Sequence, residues 1–244
     1  MDSHSSRKSR AVSSKQQATK ATRESLQQKA QRLQHIFERL EATFPDAHVL
    51  LDYSNPLELL VATILAAQCT DARVNEVTPA VFARYKSAQD YADAPLDELE
   101  EAFKPTGTFR NKAKAVKNAC SQIAGSYGGK VPEEIETLSR LPGVGRKTAS
   151  VVAGNAFGKP AIIVDTHVLR VSGRLALASA HNVEKKYADK VERELAELAP
   201  EHRWTRLSNL LTWHGRRICT ARKPACPTCP VNEFCPWPNK TTSA

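Results

Sequence analysis

Apolar residues recur at intervals of three and four along nearly the whole chain. That repeat belongs to helices buried on one face. Leu26, Ala30, Leu33, Phe37, Leu40 and Phe44 form one such stripe. The segment "NPLELLVATILAAQ" opens with Asn55 as a cap, Pro56 at the first helical position and Glu58 completing a cap-like pair. Leu57, Leu60, Val61, Ile64 and Leu65 leave it apolar over most of its surface, which predicts a central, buried helix. Further helices are expected at about 71–85, 95–103, 110–127, 133–139, 146–157, 166–177, 183–198 and 203–214. The glycines and proline of "GSYGGKVP" are stop signals after the helix at 110–127. One strand-like run, "AIIVD" at 161–165, is too short and isolated to build a sheet. The expected fold class is all-α.

A formal charge of +9 over 244 residues points to an anionic partner, most commonly nucleic acid. Residues 1–24 hold six Lys/Arg against Asp2 and Glu24, yet the body keeps about half of the excess. The polar, Ser-rich residues 1–25 are expected to form a disordered basic arm; a transit peptide fits the composition but lacks an amphipathic apolar face. No run approaches the roughly 18 apolar residues of a membrane helix, and no secretory h-region follows the N-terminus. The six cysteines are therefore expected as thiols or metal ligands rather than disulfides.

The stretch "LPGVGRKTASVV" (141–152) has glycines, a lysine and a threonine, but not the G-x-x-x-x-G-K-[ST] spacing or preceding strand of a nucleotide P-loop. Between two short helices, Pro142, Gly143 and Gly145 read instead as a helix-hairpin-helix turn. Such a turn is expected to expose consecutive N–H groups that grip a DNA phosphate without reading sequence. An ordinary αα-corner is the plainer alternative. Lys147 is the second residue of the following helix, where the helix dipole disfavours a cation and so favours the nucleophilic amine. A lysine that merely pairs with phosphate explains the position equally well. Eighteen positions on, Asp165 caps the helix of "VDTHVLRV" behind a short apolar run that partly shelters its carboxylate. A carboxylate beside an amine suits sugar chemistry, where it stabilises a cationic transition state and moves protons.

Cys219, Cys226, Cys229 and Cys235 give C-x6-C-x2-C-x5-C. Four thiolates in one short loop suit a [4Fe–4S] cluster or zinc, with two disulfides the weakest reading. Cys69 and Cys120 lie on apolar helix faces and read as small core residues.

In this order and spacing, "LPGVGRKTASVV", "VDTHVLRV" and the cysteine pattern strongly resemble the endonuclease III family of base-excision DNA glycosylase/lyases, over about residues 30–236. The resemblance implies two helical domains flanking a DNA cleft. One, a six-helix domain with the hairpin, spans 49–159; the other joins 26–48 to 160–236 around a [4Fe–4S] cluster, leaving 237–244 as a tail. It implies that Lys147 is the Schiff-base nucleophile on the sugar of an oxidised pyrimidine and that Asp165 assists it. β-Elimination then cuts the strand 3′ to the abasic sugar, after extrusion of the base. The implied DNA contacts are Gln68 in the gap left by that base, Thr108 at the opposite-strand wedge, and Leu141, Gly143, Val144, Gly145 and His167. Where the family often has a bulky apolar wedge this chain has Thr108, with Phe109 beyond it. The four cysteines are the implied cluster ligands, the partner is double-stranded DNA with damaged pyrimidines or abasic sites, and a cytoplasmic, nucleoid-associated monomer is expected. A monofunctional adenine glycosylase, which lacks the hairpin lysine, and a non-catalytic DNA-binding protein are the competing readings. The cluster is expected to hold the Arg222/Lys223 loop against phosphate.

Overall fold

The computed structural model describes residues 24–242. Twelve α-helices and four single 3₁₀ turns occupy them, with no strand among the described residues. The basic arm expected at 1–25 falls almost entirely outside the described residues.

Two hydrophobic cores organise the chain. The first is built from α2 (Pro56–Leu65), α3 (Asp71–Arg84), α4 (Ala88–Asp93), α5 (Leu96–Phe103), α6 (Phe109–Ser126), α7 (Ile135–Leu138) and α8 (Arg146–Phe157). Asn55 caps α2 by accepting from the Glu58 amide at 3.0 Å. Leu59, Leu60, Val61, Ala62, Ile64 and Leu65 are all buried, because α3, α6 and α8 surround this helix. The second core joins α1 (Leu26–Thr43) to α9 (Thr166–Arg174), α10 (Ala180–Glu184), α11 (Ala188–Ala196) and α12 (Trp204–Arg217). A Ser25/Gln28 capping box starts α1, and Leu33, Ile36, Phe37 and Leu40 bury its apolar stripe. Helix α8 meets α12 at Gly154, where a Cβ would stand 2.7 Å from the Thr205 hydroxyl. Any larger residue there would push the two cores apart.

The run at 161–165 is extended but pairs with no strand. Its amides are satisfied by α12: Ile163 N–H donates to the Ser208 hydroxyl at 2.9 Å and Ala161 N–H to Thr205 at 3.3 Å. Helical hydroxyls thus replace the ladder partner that buried backbone requires. Some expected boundaries differ. Helix α4 occupies residues with no predicted element, started by a Ser87/Asp90 capping box. Helix α9 stops at Arg174 because Ala176 turns left-handed (φ 50°) and the Ser172 carbonyl accepts from Leu177 and Ala178. The helix expected at 183–198 is two helices, broken where Lys186 takes φ 55°.

Candidate active site

A cleft of about 670 Å³ opens between the two cores. Lys147, Val151 and Asn155 line it from successive turns of α8, and Asn209, Thr212 and Arg216 from α12. Asp165, His167 and the 66–71 segment complete its wall.

Asp165 is half-buried and caps α9. Its Oδ1 accepts from the amides of His167 (2.8 Å) and Val168 (2.7 Å), and the Thr212 hydroxyl donates to Oδ2 at 3.4 Å. One carboxylate oxygen is thus held by backbone and the other by the Thr212 hydroxyl, on a residue that lines the cleft. Lys147 is exposed at the second position of α8, facing the same cleft. Gln68 lies on its rim in a left-handed conformation (φ 56°), strained for a residue with a Cβ. Arg216 of α12 pairs with Asp71 at the start of α3, joining the two walls. His167 is half-buried, and burial pushes its pKa below the usual histidine value. Arg170 donates to its Nδ1 at 3.2 Å and also to the carbonyls of Gly215 (2.8 Å) and Cys219 (3.2 Å).

The hairpin turn alternates buried and open residues. Leu141 and Val144 are 2% and 4% exposed, and the Val144 amide donates to the Leu141 carbonyl at 3.0 Å. Their side chains belong to the first core, and the Val144 amide is engaged within the turn. The Gly143 and Gly145 amides, on either side of Val144, have no hydrogen-bond partner among the described residues. The glycines differ in their need to be glycine. Gly143 has φ 76°, and a Cβ on it would stand 2.4 Å from Ala115 Cβ. Gly145 has an extended backbone (φ −82°) with no atom within 4 Å of a Cβ. Nothing among the described residues excludes a side chain at 145.

Thr108 is exposed and left-handed (φ 43°) after Gly107, and it does not line the cleft. Phe109 packs against the first core, so its ring is committed to the fold.

Cys219, Cys226, Cys229 and Cys235 converge on a second, apolar-walled cavity under His214 and Trp237. None of the six cysteines is joined in a disulfide. No three His, Cys, Asp or Glu side chains among the described residues gather as they would around a single metal ion. Four thiols lining a common space suit a metal centre, zinc or an iron–sulfur cluster. Arg174 donates to Cys219 Sγ at 3.2 Å, and burial pushes the Cys229 thiol up to about 11. Thiolates here need both donors and resident positive charge, which iron supplies.

Residues 61–201 match the HhH-GPD superfamily of base excision DNA repair proteins, and residues 219–235 match the iron–sulfur binding domain of endonuclease III. Endonuclease III of Synechocystis is 47% identical over 85% of this chain and 93% of its own length. The chain belongs to the endonuclease III family. Structural likeness agrees with the sequence match. A non-covalent endonuclease III–DNA complex and a trapped endonuclease III–DNA covalent intermediate each superpose with a TM-score of 0.79, at 42% identity, over 85% of this chain and 95% of theirs. As a member of this family the chain is a DNA-binding, base-excision DNA glycosylase with AP lyase activity and a [4Fe–4S] cluster. The zinc, disulfide and non-catalytic alternatives fall away. No helix among the described residues is long and apolar enough to cross a membrane.

Sequence reasoning missed Asn155, Asn209 and Thr212. Asn155 lies eight residues after Lys147 on α8, and Asn209 and Thr212 are three apart on α12, so each helix carries a polar stripe at helical spacing. The interruption of the apolar run "SVVAGNAF" by Asn155 was the available signal.

Proposed function

We propose that this protein excises oxidised pyrimidines from double-stranded DNA and cleaves the resulting abasic site, with Lys147 as nucleophile and Asp165 as its partner. The observation that carries this reading is the convergence of the two on one cleft, with the Asp165 carboxylate fixed by backbone amides 2.8 and 2.7 Å away. The neutral Lys147 amine attacks C1′, and the N-glycosidic bond breaks with its electron pair leaving on the base. The Asp165 carboxylate offsets the positive charge that develops on the sugar and accepts the proton released by the amine. The ring opens to a Schiff base, a proton leaves C2′, and the C3′–O bond breaks by β-elimination.

The unpartnered Gly143 and Gly145 amides lie at the positive end of α8, ready for a backbone phosphate. The open space around Gly145 supports close approach of that phosphate. Gln68 enters the gap left by the extruded base, its strained backbone consistent with a committed position. His167 contacts DNA at the cleft, and Thr108 meets the opposite strand as a small, polar wedge. Cys219, Cys226, Cys229 and Cys235 ligate the cluster, whose role is to hold the 219–226 loop in shape. The two cores form two domains, 49–159 and 26–48 with 160–236, in a cytoplasmic, nucleoid-associated monomer.

Borohydride reduction tests the chemistry. Wild type mixed with duplex containing an oxidised thymine should give a covalent adduct, and Lys147→Gln should give none while still binding the duplex. An adduct formed equally by Lys147→Gln would remove Lys147 from the mechanism.

A further inference from the structure

The floor of the cleft carries a hydrogen-bond relay that the chemistry above does not use. Asn155 of α8 donates through Nδ2 to the Val151 carbonyl at 2.9 Å. Asn209 of α12 donates through Nδ2 to Asn155 Oδ1, also at 2.9 Å. A side-chain amide has similar shape in both flip states, so partners must fix its orientation. Here they do. The Val151 carbonyl can only accept, so Asn155 must turn its NH₂ to it and its oxygen to Asn209. Asn209 must then turn its own NH₂ to Asn155. The Tyr53 hydroxyl donates to the Asn155 backbone carbonyl at 2.9 Å and braces that end of α8.

Asn209, which lines the cleft, is left with an Oδ1 that accepts from no described residue and a second N–H on Nδ2. The relay therefore leaves a cleft-lining amide with one acceptor and one donor in a single plane and a fixed order. Asn155 lies two helical turns, about 12 Å, beyond Lys147 along α8. That leaves room for a sugar at the amine and the ring of its base at the amide. Thr212, which touches Asp165, lies one turn from Asn209 on α12.

We propose that Asn209, held in one orientation by Asn155, is a specificity-determining residue that reads the N3–H/carbonyl edge of an extruded thymine- or uracil-type ring. The proposal rests on the reading that this cleft receives a damaged pyrimidine. Asn209 Oδ1 accepts from N3–H, and the free Nδ2 hydrogen donates to the adjacent ring carbonyl. Oxidation or saturation at C5 and C6 leaves that edge intact, so one amide serves many such lesions. Cytosine-type rings carry an acceptor at N3 and meet Oδ1 unfavourably. Asn209 does not separate damaged from intact thymine, and that selection lies in the lower cost of extruding a damaged base.

The test compares Asn209→Leu with wild type, each with its full iron content and its melting temperature measured. Three single-turnover substrates are used: duplexes with 5,6-dihydrothymine, with 5-hydroxycytosine, and with a preformed abasic site that has no base to read. Wild type should excise dihydrothymine faster than 5-hydroxycytosine. Loss of one bidentate contact should slow dihydrothymine excision by about 10- to 100-fold. The ratio of dihydrothymine excision to abasic-site cleavage should fall at least about tenfold, and the preference over 5-hydroxycytosine should shrink. Asn155→Ala, on the far side of the relay from the base, should shrink that preference while slowing excision less. Excision and abasic-site cleavage falling together, or neither changing, would overturn the assignment of Asn209. A wild type that excises neither base would overturn the pyrimidine reading itself, and this assignment with it.

Discussion

Gly143 and Gly145 lie two residues apart in one turn, and a methyl group should damage each in a different way. At Gly143 an alanine must adopt φ 76° with its Cβ 2.4 Å from Ala115 Cβ and 3.2 Å from Ala115 Cα. The left-handed conformation costs about 1–2 kcal/mol. No rotamer change relieves a contact with Cβ and backbone, so overpacking adds about 1–3 kcal/mol. Together that is about 2–5 kcal/mol, or about 4–20 °C in melting temperature for a chain of this size. At Gly145 the backbone is extended and no atom lies within 4 Å of a Cβ. Reduced freedom of the unfolded chain, about 0.4–1 kcal/mol, roughly offsets the poorer N-cap that alanine makes. Gly145→Ala should therefore melt within about 3 °C of wild type. Its methyl stands where the phosphate must come, and losing a charge-assisted hydrogen bond costs about 1.5–3 kcal/mol. That is roughly a 10- to 150-fold rise in Kd for a duplex with an abasic-site analogue. No cation is removed, so the slope of log Kd against log salt should not change. Circular dichroism melts and fluorescence anisotropy at several salt concentrations measure all of this. Gly145→Ala binding as tightly as wild type, or melting as low as Gly143→Ala, would refute the reasoning.

Thr212→Val removes the hydroxyl 3.4 Å from Asp165 Oδ2 and should slow base excision by about 2- to 12-fold, with Thr212→Ser restoring most of the rate. Equal rates in all three proteins would show that this hydroxyl does not position Asp165. Iodoacetamide at pH 8 should modify only Cys69 in the iron-loaded protein, since burial pushes the Cys120 thiol up to about 12. Stripping the iron should add four alkylated cysteines by mass, and fewer than four would mean a smaller ligand set. Arg222 and Lys223 are exposed on the loop between Cys219 and Cys226. Replacing both with alanine should weaken DNA binding and lower the salt slope by about two, and an unchanged slope would remove this loop from the interface.

The elements legible in the sequence were those whose signals are local. The buried face of α1, the capped start of α2 and the cysteine spacing each declare themselves within about twenty residues. Helix α4 did not, because six residues with Ala88 and Tyr91 buried are too short to display a period. The break at Lys186 is a single left-handed residue with no glycine or proline to mark it. Within the hairpin, composition suggested a uniformly open turn, whereas Leu141 and Val144 alternate inward to fill the first core. The catalytic candidates Lys147 and Asp165 stood out through their motifs. The Thr212–Asp165 contact spans 47 positions and the Asn155–Asn209 contact 54, and neither pair has a motif. They become visible only when α8 and α12 are set on opposite sides of one cleft. Even the strand-like "AIIVD" is explained by distance, since its amides are satisfied by hydroxyls more than forty residues away.

Tandem mass spectrometry of the borohydride-trapped, nuclease-trimmed adduct tests the central claim most directly, because it locates the carbon–nitrogen bond on the chain. The account predicts a single modified peptide, with the reduced sugar remnant on Lys147. A remnant on any other lysine or on the N-terminal amine would contradict it.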